Sequence, residues 1–401
     1  MKKIPFSPPD ITDGDINEVV DTLKSGWITT GNKTSQFEQS LCEYTNVAGV
    51  KCLNSATAGL ELILRLFGIG EGDEVITTPY TFCATANVIL HTGATPVFVD
   101  IEKEGFNVSA EEIERAVTKR TKAVIAVDFA GFPADYDKIR EILDNAHKVF
   151  IPSRGTMQER LSRPLLIADA AHSLGAVYKC KKSGSLADFS VFSFHAVKNL
   201  TTAEGGAVCF NGIGGLSADE IYKALSLLSL HGQDKSAYDK FSKGDWRYSV
   251  EVAGYKYNIT DIASSLGLSQ LRRYETEILP NRKALYESYV SLLQDNERFI
   301  IPVCRDTFRE SSYHLFPLRI EGLTEDGRDN LIRKMAEDGV SANVHYIPLP
   351  MHPLYKKLGY RIEDYPRAYE AYKNEITLPL YSKMSIEDTE YVCEVLKKSL
   401  G

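Results

Sequence analysis

The chain has 401 residues, 43% hydrophobic and 25% charged, an ordinary globular composition whose length suggests two or three domains. Its net charge of −8, from 54 acidic and 46 basic residues, argues against nucleic acid or an anionic membrane as the main partner. Pro5, Pro8, Pro9 and Asp10 break any signal-peptide core, no apolar run approaches the ~18 residues of a membrane helix, and seven cysteines without a C-x-x-C pair fit a reduced, cytosolic protein with no structural zinc or other metal.

In chain order, apolar runs alternate with helical spacing. A helix is predicted over Ala58–Phe67, a strand over Glu74–Thr78, a helix over Ala84–His91 and a strand over Thr95–Asp100. A helix over Ala110–Val117, a strand over Ala123–Asp128 and a helix over Asp137–Leu143 follow. Lys148–Arg163 is polar and Arg-rich and reads as a surface insertion. Strands are then expected at Leu165–Asp169, Phe189–Ser193 and Gly206–Phe210. Helical spacing resumes at Asp261 and runs on to Leu293. A strand over Tyr313–Ile320, a helix over Glu325–Asp338, a strand over Ser341–Tyr346 and a helix over Ile386–Leu400 complete the chain. Strands that are apolar throughout are covered on both faces. The expectation is an α/β fold: a large domain (1–262) with a mostly parallel sheet, then a smaller C-terminal α/β domain (263–401). Ligands of such sheets bind beyond the carboxyl ends of the strands.

Four segments carry chemistry. Small and hydroxyl residues at Ser55-Ala56-Thr57 open a helix, where free N–H groups and the helix dipole suit a phosphate; plain capping is the alternative. Phe82, after the Glu74–Thr78 strand, can stack on a flat ligand or sit in a core. Asp169 ends a run of apolar residues, so its carboxylate needs a cation or a donor, or caps the next helix. Lys198 comes after a strand of aromatic and small residues; a lysine in a partly apolar site has a lowered pKa and is the usual Schiff-base residue.

Together these segments closely resemble the DegT/DnrJ/StrS family of pyridoxal-phosphate-dependent nucleotide-sugar aminotransferases. The most specific match is Ser193-Phe194-His195-x-x-Lys198-x-x-Thr201-Thr202-x-Glu204-Gly205-Gly206. Asp169-Ala170-Ala171-His172, Gly254-Tyr255-Lys256-Tyr257-Asn258 and His345-Tyr346-x-Pro348 support it. The resemblance implies an aspartate-aminotransferase-like fold and a homodimer with shared active sites. It implies pyridoxal 5′-phosphate held as a Schiff base on Lys198, Asp169 paired with the ring nitrogen, and His172 beside Asp169 or the phenolic oxygen. Phe82 would stack on the ring. Ser55, Ala56, Thr57 and Ser193 would hold the phosphate, His195 would lie in the cofactor-binding loop, and Lys256 or Asn258 would reach across from the partner subunit. The implied reaction moves an amino group from an amino acid, glutamate, to a keto group of a nucleotide-linked sugar in polysaccharide biosynthesis. Two rivals are a sugar dehydratase or deoxygenase of the same family, in which His replaces the lysine, and a non-catalytic regulatory relative. Lys256, Asn258, Ser229 and Ala203 depart from the common family pattern.

Overall fold

A computed structural model of the chain describes residues 2–234 and 246–401. Seven strands form one sheet: β1 (Gly49–Leu53), β2 (Glu74–Thr77), β3 (Thr95–Phe98), β4 (Thr121–Val127), β5 (Leu165–Asp169), β6 (Phe189–Ser193) and β7 (Gly206–Phe210). In space they run β1-β7-β6-β5-β4-β2-β3. The β2–β3, β2–β4, β4–β5 and β5–β6 pairs are parallel, whereas β7 is antiparallel to both β6 and β1. Alternate residues of β4 and β5 feed two separate cores: Val124, Ala126, Leu166 and Ala168 on one face, Ala123, Ile125, Leu165 and Ile167 on the other. That two-residue period is why these strands are apolar at every position.

The C-terminal part builds a three-stranded antiparallel sheet, with Phe316–Ile320 between Phe299–Ile300 and Glu375–Leu378. Its core also takes in residues of the helices Leu279–Leu293, Glu325–Glu337 and Ile386–Leu400, and Ile4 from the start of the chain. Between the two sheets, the helix Asp261–Arg272 packs on the helices Asp13–Lys24 and Asn32–Thr45. The Asp261 carboxylate accepts from the N–H groups of Gly31 and Thr34 at 2.7 and 3.0 Å, filling the donor-rich start of the second helix.

Two sequence expectations change. Ser341–Tyr346 is not a ladder strand. Asn343 forms one bridge to Thr377, after which the His345 N–H turns to the Glu375 side chain at 3.0 Å. The expected Tyr313–Ile320 strand begins at Phe316, because Tyr313 sits in the left-handed region with φ 55°. The 148–163 segment exposes Val149 and Ile151, yet it is tied down. Gln158 is fully buried, and its Nε2 donates to Asp73 and to the Gly68 carbonyl at 3.2 and 3.3 Å.

Candidate active site

The site lies at the carboxyl ends of β5 and β6, in a cavity of about 370 Å3. Nine of the eleven residues singled out from sequence line it; Lys256 and Asn258 do not. One edge is the start of the helix Ala56–Leu66. Ser55 caps that helix, its hydroxyl accepting from Ala58 N–H at 3.1 Å, which is the capping reading of the segment. Its side chain is spent on the cap, while the first-turn N–H groups of Ala56 and Thr57 have no acceptor within the helix. Gly206 of β7 backs this edge so closely that a Cβ there would lie 2.4 Å from the Ala56 nitrogen. Ser193 ends β6 beside it.

Asp169 forms the floor and is buried. Its Oδ2 accepts from the Thr85 hydroxyl at 2.8 Å and its Oδ1 from Ala171 N–H at 3.3 Å. Burial is the largest influence and raises its pKa, while those two donors and the Lys198 charge pull the other way. Lys198 stands on the turn after β6, held by its own N–H to the His195 carbonyl at 2.9 Å. Burial pushes its pKa down to about 8, with Asp169 opposing. The amine is therefore within reach of the neutral, nucleophilic form at ordinary pH.

His172 is buried, and burial, then the charges of Lys198 and His345, hold it well below the usual imidazole range. Its Nε2 meets the Tyr346 hydroxyl at 3.1 Å, whereas its Nδ1 is buried without a hydrogen-bond partner among the described residues. Phe82 is 59% exposed on the cavity rim, its ring 6.0 Å from that of Tyr346. His195 is exposed at the mouth, 3.7 Å from Glu204.

Lys256 is exposed on a segment that runs beside β1, where Asn54 N–H donates to the Tyr257 carbonyl at 2.7 Å. Asn258 donates to the Thr30 hydroxyl at 2.7 Å, and its Oδ1 is buried without a partner. Sequence reasoning missed Thr85, His314, Phe6 and the role of Tyr346. Thr85 carried a usable signal, a hydroxyl in the first turn of a helix that starts one residue earlier. Phe6 carried none, because only the fold brings it to the cavity, where it stacks on His345.

The residues present fit pyridoxal phosphate. A buried carboxylate raised by burial calls for a cationic ring nitrogen, the partnerless His172 Nδ1 for a polar atom on the ring, and the helix start for a phosphate.

The comparisons agree. The model of the DegT/DnrJ/EryC1/StrS aminotransferase family matches residues 9–397. The putative sugar aminotransferase Spr1654 from Streptococcus pneumoniae, solved in a PMP-form, is 45% identical, with TM-score 0.95 and 99% of each chain covered. Its PLP-form is 44% identical, with TM-score 0.94 and 100% of each chain covered. The spore coat polysaccharide biosynthesis protein SpsC of Bacillus subtilis is 38% identical over 98% of this chain and 96% of its own length. The UDP-4-amino-4,6-dideoxy-N-acetyl-beta-L-altrosamine transaminase of Campylobacter jejuni is 34% identical over 98% of this chain and 96% of its own. The fold is thus that of the pyridoxal-phosphate-dependent transferases, as the sequence led us to expect. The chain belongs to the DegT/DnrJ/EryC1/StrS aminotransferase family and is an enzyme that works with pyridoxal phosphate.

Proposed function

We propose that the enzyme moves an amino group from an amino acid, glutamate, to a keto group on a nucleotide-linked sugar, for polysaccharide or glycoconjugate synthesis. The observation that carries this reading is Lys198 with its lowered pKa over the buried Asp169, in a cavity edged by a helix start. The name of the Campylobacter relative, a UDP-sugar transaminase, supports the substrate class, and that of the Bacillus relative, a spore coat polysaccharide biosynthesis protein, supports the polysaccharide role.

Pyridoxal phosphate, when bound, supplies an electron sink and a temporary resting place for the amino group. Asp169 holds a proton on the ring nitrogen by opposing its loss with a buried negative charge. Lys198 Nζ takes the proton from the Cα of the amino donor and returns it on the way to product, as base and then acid. His172 Nδ1, which is buried without a partner among the described residues, binds the phenolic oxygen, and Phe82 covers the ring. The N–H groups of Ala56 and Thr57 and the Ser193 hydroxyl bind the phosphate, with Ser55 keeping that helix start in shape and His195 placing the turn that carries Lys198. A screen of 3-keto and 4-keto nucleotide sugars with glutamate, read by mass, tests the reading. A mass gain matching replacement of carbonyl oxygen by an amine is expected, and no product from any of them would overturn the substrate class.

The working unit we propose is a homodimer in a reducing cytoplasm, where its seven free cysteines stay unpaired. Neither Lys256 nor Asn258 lines the cavity of its own subunit, which supports a role across a two-fold interface. Mixing Lys198→Ala subunits with subunits carrying Lys256→Ala and Asn258→Ala should restore partial activity, one intact site per heterodimer. A mixture that forms heterodimers and stays inactive would show that the site is not shared. We further propose two units, 1–262 and 263–401, the boundary good to about ten residues. The packing of the helix Asp261–Arg272 on the N-terminal helices favours the far end of that range.

Among the described residues no helix is long and apolar enough to cross a membrane.

A further inference from the structure

His345 stands in the cavity wall with one ring nitrogen turned away from it. Its Nδ1 lies 2.9 Å from the Thr377 hydroxyl, and that hydroxyl is bonded in turn to Glu375 Oε1. The second carboxyl oxygen, Oε2, accepts the His345 backbone N–H at 3.0 Å, which closes a ring of bonds. Phe6 stacks on the imidazole, centroids 5.6 Å apart and planes 22° off parallel, and fixes its plane. Glu375 and Thr377 are both wholly buried, and neither lines the cavity. A buried carboxyl group is expensive unless its bonds are satisfied, and these bonds all lead to His345.

The hydroxyl between them has one hydrogen to give. An ionised Glu375 only accepts, so Thr377 donates to it and accepts from His345 Nδ1–H. The remaining nitrogen, Nε2, is then a bare acceptor. A protonated Glu375 donates to Thr377, which donates to Nδ1, and the ring hydrogen moves to Nε2. We propose that Glu375 and Thr377 are positioning residues that set the tautomer of His345, so that the cavity offers a substrate oxygen a hydrogen-bond donor when Glu375 holds a proton and an acceptor when it does not.

Burial pushes the Glu375 pKa up to about 8, against the pull of the Thr377 hydroxyl, the His345 N–H and Arg328. The titratable and charged groups around it are His345 and Tyr346 on the facing segment, Arg319 on the neighbouring strand, Arg328 on the helix Glu325–Glu337, and Tyr80. Burial and the Lys198 charge push His345 itself down to about 3, so the ring stays neutral while its hydrogen changes place. Below pH about 8 the donor form prevails, suited to a carbonyl or carboxylate oxygen of substrate; above it the acceptor form prevails. The substrate half of this inference rests on the proposed function; the tautomer half does not.

The test is nitrogen NMR of the holoenzyme labelled with 15N-histidine, the His345 signals being assigned by their loss in His345→Gln. Between about pH 6 and 9, wild type and Thr377→Ser should pass from the Nε2–H to the Nδ1–H tautomer. Glu375→Gln, whose amide always donates, should stay Nε2–H throughout. Thr377→Val, of similar shape but without the hydroxyl, should lose the transition. A wild-type His345 that keeps one tautomer over the whole range overturns the proposal, as does a transition that survives in Thr377→Val; the wild-type series decides even if a variant fails to fold. With a turned-over keto sugar, KM should rise about tenfold on the alkaline side in wild type and not in Glu375→Gln, the effect of losing one hydrogen bond. A normal NMR transition without any turnover would count against the reaction assignment and not against the tautomer switch.

Discussion

Lys198→Ala is expected to abolish amino transfer altogether and to leave the protein without the visible absorption of a lysine Schiff base when the cofactor is added. The amine at Lys198 is the one primary amine on the turn after β6, and burial already brings its pKa to about 8. No neighbouring side chain replaces it. His172, His314 and His345 share the cavity, but burial keeps them neutral and they carry no primary amine. If Lys198 has the two roles proposed for it, covalent anchor and proton-moving base, its loss should drop turnover to background, as loss of a nucleophile does in enzymes generally. The fold should survive, since the change puts a methyl group where a recessed amine faced a cavity. An absorption spectrum, circular dichroism and a single-turnover assay check this. Wild-type-like turnover in the mutant, with no amine added, would refute the role of Lys198.

The second large effect is that of Asp169→Asn. The amide keeps the size of the carboxylate and can still accept from the Thr85 hydroxyl, now 2.8 Å from Oδ2. It carries no charge, so it cannot hold a proton on a ring nitrogen. A rate loss on the order of 10²-fold or more is expected, the scale of removing a preorganised charge partner. The loss should fall on kcat more than on cofactor affinity, because the helix start at Ser55-Ala56-Thr57, proposed to hold the phosphate, is untouched. Activity within about twofold of wild type would make Asp169 a structural residue only.

Much of the parallel sheet was legible because β4 and β5 feed two cores and so read as unbroken apolar runs. Two strands that escaped notice carry buried polar side chains. β1 has Lys51 in its middle, buried and paired with Glu38 at 3.4 Å. The strand Glu375–Leu378 starts with the carboxyl group that serves His345. In both cases a local polar residue hides a buried strand, since its partner lies far away in sequence. The helices Asp13–Lys24 and Asn32–Thr45 were likewise unassigned; the second starts at a glycine without a side-chain cap, its donors being met by distant Asp261. For the site, the Asp169 and Lys198 segments announced themselves through strand-end position. The wall contributed by Phe6, His314 and Tyr346 did not, because these residues, far apart in sequence, come together only at the cavity.

The place of β7 also bears on how the enzyme is made. Among the described residues β1 has its only ladder partner in β7, with Gly49 opposite Phe210 and Leu53 opposite Gly206. During synthesis the first strand therefore waits until residue 210 has left the ribosome. Leu53 leads directly into the helix start that edges the cavity, and Gly206 backs that helix start at close range. Lys198 and Ser193 belong to the strand and turn that emerge just before. The helix start proposed to hold the phosphate and the lysine turn are thus brought together by one late, long-range pairing, of the kind that is slow to form because a long loop must close first. A ribosome-bound chain stopped short of β7 should bind no cofactor, however much of β2 to β5 has already folded.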